Sequence, residues 1–508
     1  MKLFSTRNLN IEAMPKTAIL KGLSDDGGLF CPKIEDITSS AFNIESMLDL
    51  SYKDIAKKVF KIFLSDFSEE ELKIAIDGAY SKENFGSYSD VVTPITKIGE
   101  SFILELYHGP TSAFKDVALT ILPRFLSIAS KSNFDEQNKI YILTATSGDT
   151  GKAALSGFKD VPDTFITVFY PTDGVSNIQK LQMQTSEGNN VSVIAVNGNF
   201  DDCQRLVKEI YTDKDIARIA LESKVLLSSA NSINIGRLVP QIVYYIYSYA
   251  RLVKDGHIKS GDKINFVVPT GNFGDILAGF LAKLLGTPVD KLIIASNSNN
   301  VLTDFVNTGV YNKNREFYKT ISPSMDILVS SNLERLLFLL SGNDANYVKS
   351  LMDDLNKKGM YKIDDGLLSK IRETFVAYYA DENECKRAIK EAFTKDSRLI
   401  DTHTAIAYAC LNKYSIDHSH ITYAFKPSVI LSTASPYKFV KSVLPCVTGV
   451  NIDKIDDFEC MERLHKLSNE PIPEGLSALK DKKIRFDTTL DYNKCKSFVI
   501  DNINKGNL

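Results

Sequence analysis

The 508-residue sequence lacks the features that mark disulfide-bonded, membrane-spanning or nucleic-acid-binding proteins. Its seven cysteines are odd in number and form no CxxC pair, which argues against a disulfide framework or a zinc site. No run of about 18 apolar residues is available to span a bilayer, and residues 1–20 lack the apolar core of a signal peptide. The net charge of -3 points to neither nucleic acid nor an anionic membrane. We therefore expect a cytoplasmic protein without a bound metal and without nucleic-acid or membrane partners.

The middle of the sequence alternates short apolar runs with longer amphipathic stretches. The runs are β-branched, aromatic and almost continuously apolar, as is typical of strands buried on both faces of a parallel sheet. They lie at residues 102–107, 140–146, 165–170, 191–196, 264–269, 291–296 and 428–433. The stretches between them, such as 203–222 and 237–254, carry apolar residues at helical spacing. This alternation predicts an α/β fold with open, mostly parallel sheets flanked by helices.

The length predicts about three domains, from a prior of roughly 150 residues per domain. The sequence contains no internal repeat and no low-complexity linker that would fix their boundaries. The predicted division is an N-terminal domain (1–95, helical over 44–79), an α/β core (96–321 plus 425–445, with a smaller sub-domain at about 105–230), a mainly helical insertion (322–424, with helical runs at 331–340 and 365–394) and a mixed C-terminal segment (446–508).

A lysine follows the predicted strand at 102–107 in a position suited to covalent chemistry. Ligands of open α/β sheets bind beyond the carboxyl ends of the strands. A Gly-Pro turn at 109–110 precedes Thr111 and Ser112, either of which can cap a helix that has Lys115 in its first turn. The amine of such a lysine can attack an aldehyde and hold it as an imine. The alternative is an ordinary solvated helix lysine.

Two further loops have the composition of anion-binding sites. Small residues at a helix N-terminus let backbone N–H groups approach a phosphate or carboxylate. The loops are Ser147-Gly148-Asp149-Thr150, after the strand at 140–146, and Gly271-Asn272-Phe273-Gly274-Asp275, after the strand at 264–269. Neither has Walker A or G-x-G-x-x-G spacing. Simple capped turns are the alternative; together, the loops suit a ligand with a phosphate and a second anionic group.

Two more segments carry polar groups at predicted helix or strand ends. In residues 231–237, polar side chains including Asn231 and Ser232 surround Arg237, whose guanidinium suits phosphate or carboxylate. A helix cap with a surface salt bridge would explain the same pattern. Thr433 ends the strand at 428–433, where its hydroxyl could face a ring nitrogen or simply belong to a turn.

These loops together resemble the threonine synthase family, in the fold type II group of pyridoxal-phosphate enzymes. The resemblance covers most of the chain, and HGPTSAFKD and PTGNFGD are its most specific motifs. The matching segments are STR (5–7), DGGLF (26–30), HGPTSAFKDVAL (108–119), TATSGDTGKAA (144–154), NSINIGR (231–237), VPTGNFGDILAG (268–279), SPSMDILVSSNLERLL (322–337) and TASPYKF (433–439). The implied architecture is the fold type II one, with an N-terminal domain and a helical insertion.

The resemblance also implies a role for each loop. Lys115 would carry pyridoxal phosphate as a Schiff base, and a lowered pKa is expected for an amine that must react unprotonated. The loop Gly271–Asp275 would hold the cofactor phosphate, Thr433 would face the pyridine nitrogen, and Asp149 would contact the cofactor. The substrate would be bound by Ser147, Gly148, Thr150, Asn231, Ser232 and Arg237.

The implied reaction converts O-phospho-L-homoserine and water into L-threonine and phosphate, in a monomer or homodimer. Ser435 departs from the family pattern, which has His there, and Thr402 stands where the family has Pro. One alternative is a related phospho-lyase that releases a keto acid, and another is a catalytically silent relative. A dehydratase or cysteine synthase relative fits less well, because such enzymes lack the long N-terminal segment and the NSINxxR stretch.

Overall fold

The apolar runs of the sequence become the buried strands of two parallel sheets. The computed structural model describes residues 1–133, 139–172, 175–419, 426–452 and 454–504. All seven predicted strands are present, and the α/β class with mostly parallel sheets is confirmed.

The N-terminal third carries a small antiparallel sheet followed by helices. Capping boxes start two of the helices, because Ser51 and Ser68 each exchange hydrogen bonds with an acidic residue three positions on. The elements up to residue 133 are β1 Leu3–Ser5, β2 Asn8–Ala13, α1 Pro15–Lys21, β3 Phe30–Cys31, α2 Ile34–Thr38, α3 Tyr52–Phe63, α4 Glu69–Ala79, α5 Lys82–Phe85, β4 Ile95–Ile98, β5 Ser101–Glu105, α6 Lys115–Leu119 and α7 Leu122–Asn133, with short 3-10 helices at Ile44–Met47 and Gly86–Tyr88.

Strands and helices alternate through the next region. Its elements are β6 Lys139–Ala145, α8 Asp149–Phe158, β7 Thr164–Pro171, α9 Asn177–Gln184, β8 Val191–Asn197, α10 Phe200–Thr212, α11 Lys214–Glu222, β9 Val225–Ser228, α12 Ile235–Lys254, β10 Ile264–Pro269, α13 Gly274–Leu284, β11 Val289–Ser296, α14 Val301–Thr308 and β12 Val310–Asn312.

The remaining region is richer in helices but returns two strands to the core. Its elements are α15 Leu333–Leu340, α16 Ala345–Lys358, β13 Met360–Lys362, α17 Asp365–Thr374, β14 Phe375–Tyr379, α18 Glu382–Asp396, α19 Thr402–Asp417, β15 Ser428–Ser432, α20 Val440–Thr448, α21 Asp457–Ser468, α22 Glu474–Ser477, β16 Thr489–Asp491 and α23 Tyr492–Asn504, with 3-10 helices at Pro323–Met325, Pro436–Phe439 and Ala478–Asp481.

Most strands of the described residues belong to two large sheets. The described residues form a six-stranded sheet of order β14-β11-β10-β15-β5-β4, in which β4 is antiparallel to β5 and the other pairs are parallel. A five-stranded sheet of order β16-β8-β7-β6-β9 is parallel throughout. Strand β15 therefore enters the middle of its sheet from late in the sequence, between β10 and β5.

Three local predictions were wrong. The predicted helical run over 365–394 is interrupted by β14, which pairs with β11. The predicted helix over 203–222 breaks at Asp213, whose side chain caps α11. The helix expected near Thr111 or Ser112 begins only at Lys115. The domain division stays a prediction, and residues 420–425 and 505–508 of its segments lie outside the described part.

One apolar core joins the N-terminal helices to both sheets. Helix α12 runs through this core and is buried along almost its whole length. Tyr52 of α3 packs edge-on against Tyr80 and Tyr247, each with ring centroids 5.2 Å apart. Within the described ranges, no helix combines the length and apolarity needed to cross a bilayer.

Candidate active site

The loop that presents Lys115 is folded around a buried carboxylate. Asp116 accepts hydrogen bonds from the N–H of Thr111 (2.8 Å) and from its hydroxyl (2.6 Å). A side chain at Gly109 would lie 2.4 Å from Cβ of Asp116, so this close approach requires glycine. The N–H of Phe114 donates to the carbonyl of Thr433 (2.8 Å), which joins the loop to the end of β15.

Lys115 is a buried amine opposite one carboxylate. Its Nζ lies 3.4 Å from Oδ2 of Asp149, the first residue of α8. Burial lowers the pKa of Lys115, Asp149 opposes that shift, and the cations Lys438 and Arg237 reinforce it. The lowered pKa expected of a reactive lysine is confirmed, and the side chain does not point into solvent.

Lysines also control the ionisation of Asp149. Burial alone would raise the pKa of this carboxyl, but Lys438 and Lys115 together hold it well below its usual range. Its Oδ1 lies 2.6 Å from Nζ of Lys438 and accepts from Nε2 of Gln179 at 2.8 Å. Gly148 precedes it with a φ of 131°, and a Cβ there would lie 2.5 Å from the Gln179 side chain.

The loop between β10 and α13 forms a cradle at a helix N-terminus. Phe273 adopts a left-handed φ of 62° directly before Gly274, where α13 begins. Asn332 donates both its N–H and its side-chain amide to the carbonyl of Asn272, each at 3.1 Å. A Cβ at Gly271 would lie 2.8 Å from the carbonyl oxygen of Ser324. The positive end of the α13 dipole thus opens into the site, as an anion requires.

A second place for an anion lies at the start of α12. Asn234 caps this helix by accepting from the N–H of Gly236 at 2.9 Å. Arg237 is buried and donates from Nη1 to the carbonyl of Ala230 at 2.7 Å, whereas its Nε has no partner among the described residues. Burial lowers the pKa of Arg237 to about 10, so it keeps its charge near neutral pH.

These groups line one cavity, which opens at the carboxyl ends of the strands of both sheets. The sequence-predicted residues in its wall are Lys115, Asp149, Thr150, Asn231, Ser232, Arg237, Gly271, Asn272, Phe273, Gly274, Asp275 and Thr433. Ser147 and Gly148 precede α8 and are not part of this wall.

Sequence reasoning missed several residues of the wall, notably Gln241, Ser324, Met325 and His403. His403 accepts the N–H of Ser324 on Nε2 (3.2 Å), so its proton lies on Nδ1, which donates to Asp401 at 2.7 Å. The match of the SPSMD stretch to the family could have pointed to Ser324. The position of Ser324 beside Asp149, however, depends on a contact between residues distant in sequence.

The departures from the family pattern lie near this network. Ser435 is buried and donates its N–H to the carbonyl of Ser112 at 3.1 Å. The hydroxyl of Thr402 is buried and has no partner among the described residues, which fits a position where the family has proline.

Asp275 is an acid held among tyrosines. Its Oδ1 accepts from the hydroxyls of Tyr244 and Tyr245, and its Oδ2 is buried without a partner in the described chain. Burial raises the pKa of Asp275 to about 6, although both tyrosine hydrogen bonds oppose the shift.

These features fit pyridoxal phosphate. The Lys115 amine suits the aldehyde, the N-terminus of α13 suits the phosphate, and the wall leaves polar atoms without protein partners.

In comparisons with known proteins, residues 2–80 match the family described as "Threonine synthase N terminus", and residues 93–421 match "Pyridoxal-phosphate dependent enzyme".

The chain belongs to the threonine synthase family. It is 35% identical over 512 residues to threonine synthase of Eremothecium gossypii, which covers 95% of this chain and 94% of that protein. It is 38% identical over 439 residues to human threonine synthase-like 1, covering 84% of this chain but only 57% of the relative. The pyridoxal-phosphate-bound threonine synthase of Brucella melitensis superimposes with a TM-score of 0.82 at 34% identity, over 99% of each chain.

Membership of the threonine synthase family gives the fold type and the cofactor, pyridoxal phosphate. The protein is therefore a pyridoxal-phosphate-dependent enzyme of this family.

Proposed function

We propose that this protein is a threonine synthase, which converts O-phospho-L-homoserine and water into L-threonine and phosphate. The observation that carries the proposal is Arg237, a buried cation in the wall of the cavity that contains Lys115, whose Nε has no partner among the described residues. With the N-terminus of α13 assigned to the cofactor phosphate, Arg237 supplies a separate position for a phosphate on the substrate.

The other residues of the wall receive roles in the same proposal. Gly271–Asp275 hold the cofactor phosphate, Thr433 faces the pyridine nitrogen, and Asp149 contacts the cofactor beside Lys115. Asn231 and Ser232 bind the substrate phosphate with Arg237, and the substrate carboxylate is bound by Ser147, Gly148 and Thr150.

Bound pyridoxal phosphate supplies an aldehyde for amines and a conjugated ring that accepts electrons released at the substrate's Cα. Lys115, whose pKa is lowered by burial, takes the Cα proton as general base and returns protons at the neighbouring carbons. Arg237 and Asn231 stabilise the charge on the departing phosphate. Ser324, which donates to Asp149 at 3.3 Å, helps to exclude bulk water from this face of the cavity.

A single assay with O-phosphohomoserine tests the proposal. Threonine and phosphate should form in equal amounts, and Lys115→Ala should form neither. Arg237→Met should raise KM for the phosphorylated substrate, since the phosphate loses a charge-assisted donor. The matched control Arg251→Met removes an exposed arginine at the other end of the same helix and should leave KM unchanged.

Two outcomes would reject the proposal. Keto acid and ammonia without threonine would identify the related phospho-lyase, and Ser435 is the departure from the family pattern that motivates this alternative. A purified protein that binds no pyridoxal phosphate and turns over no substrate would identify a silent relative.

We also infer a cytoplasmic location and a monomer or homodimer. All seven cysteines are free, as is typical of proteins in reducing compartments. Sedimentation of the purified protein at several concentrations would determine the oligomeric state.

A further inference from the structure

Lys438 is a completely buried lysine close to the site, in the 3-10 helix that follows β15. Its side chain is 0% exposed, and its Nζ has two partners: Oδ1 of Asp149 at 2.6 Å and the carbonyl of Thr111 at 3.1 Å. It thereby joins the sheet that contains β15 to the first turn of α8 and to the loop before Lys115. A lysine is almost never buried so fully unless it is paired.

We propose that Lys438 is a positioning residue: it holds Asp149 and takes up the charge of that carboxylate, so that Lys115 stands in the site as a neutral amine. The two lysines occupy the two oxygens of one carboxylate, with Lys438 at Oδ1 and Lys115 at Oδ2. The contact of Lys438 is the shorter by 0.8 Å, from 2.6 Å against 3.4 Å.

Charge balance in the buried site determines which of the two lysines carries a proton. A buried carboxylate needs one compensating cation, and a second cation beside it would be in excess. Because Lys438 neutralises Asp149, Lys115 can lose its proton without leaving an unpaired buried charge. Without Lys438, Asp149 would draw a proton onto Lys115, and a protonated amine cannot attack an aldehyde.

Four other charged side chains lie near the two lysines. Arg237 on α12 lowers the pKa of Lys115 further, and Asp275 on α13 interacts with Lys115 across the cavity. Asp116 and Lys152 lie within electrostatic range of Lys438. In the described structure, none of these four side chains hydrogen-bonds or forms an ion pair with Asp149, and Lys438 is the cation closest to it.

The proposal rests on the assignment of Lys115 as the reacting amine, and its test does not depend on which product forms. The full chain is stripped of cofactor and pulsed with acetic anhydride at a series of pH values. Mass spectrometry then gives the pH at which Lys115 is half-reactive. In Lys438→Met this midpoint should rise by about 1 pH unit, as removal of a neighbouring like charge predicts. Rebinding of pyridoxal phosphate at neutral pH should slow about tenfold, because the neutral fraction of the amine falls tenfold per unit.

Matched variants separate charge from packing. Lys438→Arg keeps the charge and should keep the midpoint, and Lys438→Gln should raise it as Lys438→Met does. Adding Asp149→Asn to Lys438→Met removes the uncompensated carboxylate and should bring the midpoint back down. Lys16→Met, which breaks a buried ion pair with Glu71 remote from the site, should leave the midpoint unchanged.

Three results would overturn the proposal. They are an unchanged midpoint in both Lys438→Met and Lys438→Gln, an equal rise in Lys438→Arg, and a midpoint that stays high in the double variant. If Lys438→Met does not fold, the glutamine and arginine variants still decide the question. If the unsubstituted protein forms no threonine but the midpoint rises in Lys438→Met and Lys438→Gln, the proposed function fails and the role of Lys438 stands.

Discussion

Replacing Arg335 by methionine removes a buried cation that ties three parts of the chain together. Arg335 is 0% exposed and donates from Nε to the carbonyl of Phe30 at 2.9 Å. Its two other nitrogens donate to the carbonyls of Ser232 (3.2 Å) and Ile233 (2.6 Å) and to the side-chain oxygen of Asn332. The N-terminal segment, the loop before Arg237 and the cradle before α13 thus share one guanidinium.

The expected loss in the free energy of unfolding follows from the acceptors that Arg335→Met leaves without a donor. Two buried acceptors would lose their donor at about 1–3 kcal/mol each, and the partly buried carbonyls of Ser232 and Ile233 at about 0.5–1.5 kcal/mol each, which gives a gross loss of about 3–9 kcal/mol. The substitution also removes the desolvation cost of burying the Arg335 charge, which offsets several kcal/mol of this loss. We expect a net loss of about 3 kcal/mol in the free energy of unfolding, measured by urea denaturation. Arg372→Met, which removes an exposed arginine that also donates to two carbonyls, should cost only about 0.5 kcal/mol.

The same substitution should weaken phosphate binding. Ser232 and Ile233 belong to the loop before Arg237, and Asn332 fixes the carbonyl of Asn272. Inhibition by inorganic phosphate should weaken about tenfold, which corresponds to about 1.4 kcal/mol. Arg335→Lys keeps the charge but not the fork of donors, so it should weaken inhibition as well. Unchanged inhibition and unchanged stability in Arg335→Met would refute this reasoning.

Three further perturbations follow from the site. Asp275→Asn should stabilise the cofactor-free protein by about 3 kcal/mol above pH 7 in thermal denaturation. The pKa of Asp275 is about 6 in the folded protein and lower in the unfolded chain, so ionisation of Asp275 destabilises the folded protein as pH rises. The gain from the substitution should therefore shrink below pH 6. An equal gain at pH 5 and pH 8 would contradict this sign. Gly271→Ala should lower the free energy of unfolding by about 1–3 kcal/mol, because the new Cβ would lie 2.8 Å from the carbonyl oxygen of Ser324. Gly274→Ala should lower it less, because the nearest atom to its new Cβ would be 3.4 Å away. Equal losses in the two variants would argue against steric contact as the cause. Arg237→Lys should raise KM with little change in kcat if Arg237 binds the ground-state phosphate, and a fall in kcat alone would assign it to the transition state instead.

The core strands could be predicted from the sequence because strands of a parallel sheet are apolar on both faces. Every predicted run became a strand within about two residues of its expected ends, including β15. Strand β14 escaped prediction because it follows α17 without a break and sits at an edge of its sheet, where its residues are only partly buried. The break between α10 and α11 escaped because Asp213 can be read as a helix residue as easily as a cap.

The loops of the site were predictable because each follows a strand and is rich in small residues. Lys115 and the 271–275 loop line the same cavity, as expected, but the partners that set their chemistry were not foreseen. Lys438 contacts Thr111 across 327 residues of sequence, and no local pattern distinguishes it from a surface lysine. His403 and Ser324 likewise gain their role only when α19 and the 322–327 turn meet.

The central place of β15 in its sheet has a consequence for synthesis of the chain. Strands β10 and β5 flank β15 and cannot be joined until residues 428–432 have been made. At roughly 5–20 residues per second, the ribosome reaches residue 432 about 20–90 s after residue 1. The pocket around Lys115 therefore closes only after residue 432 has been made, and the nascent chain cannot capture its coenzyme before then.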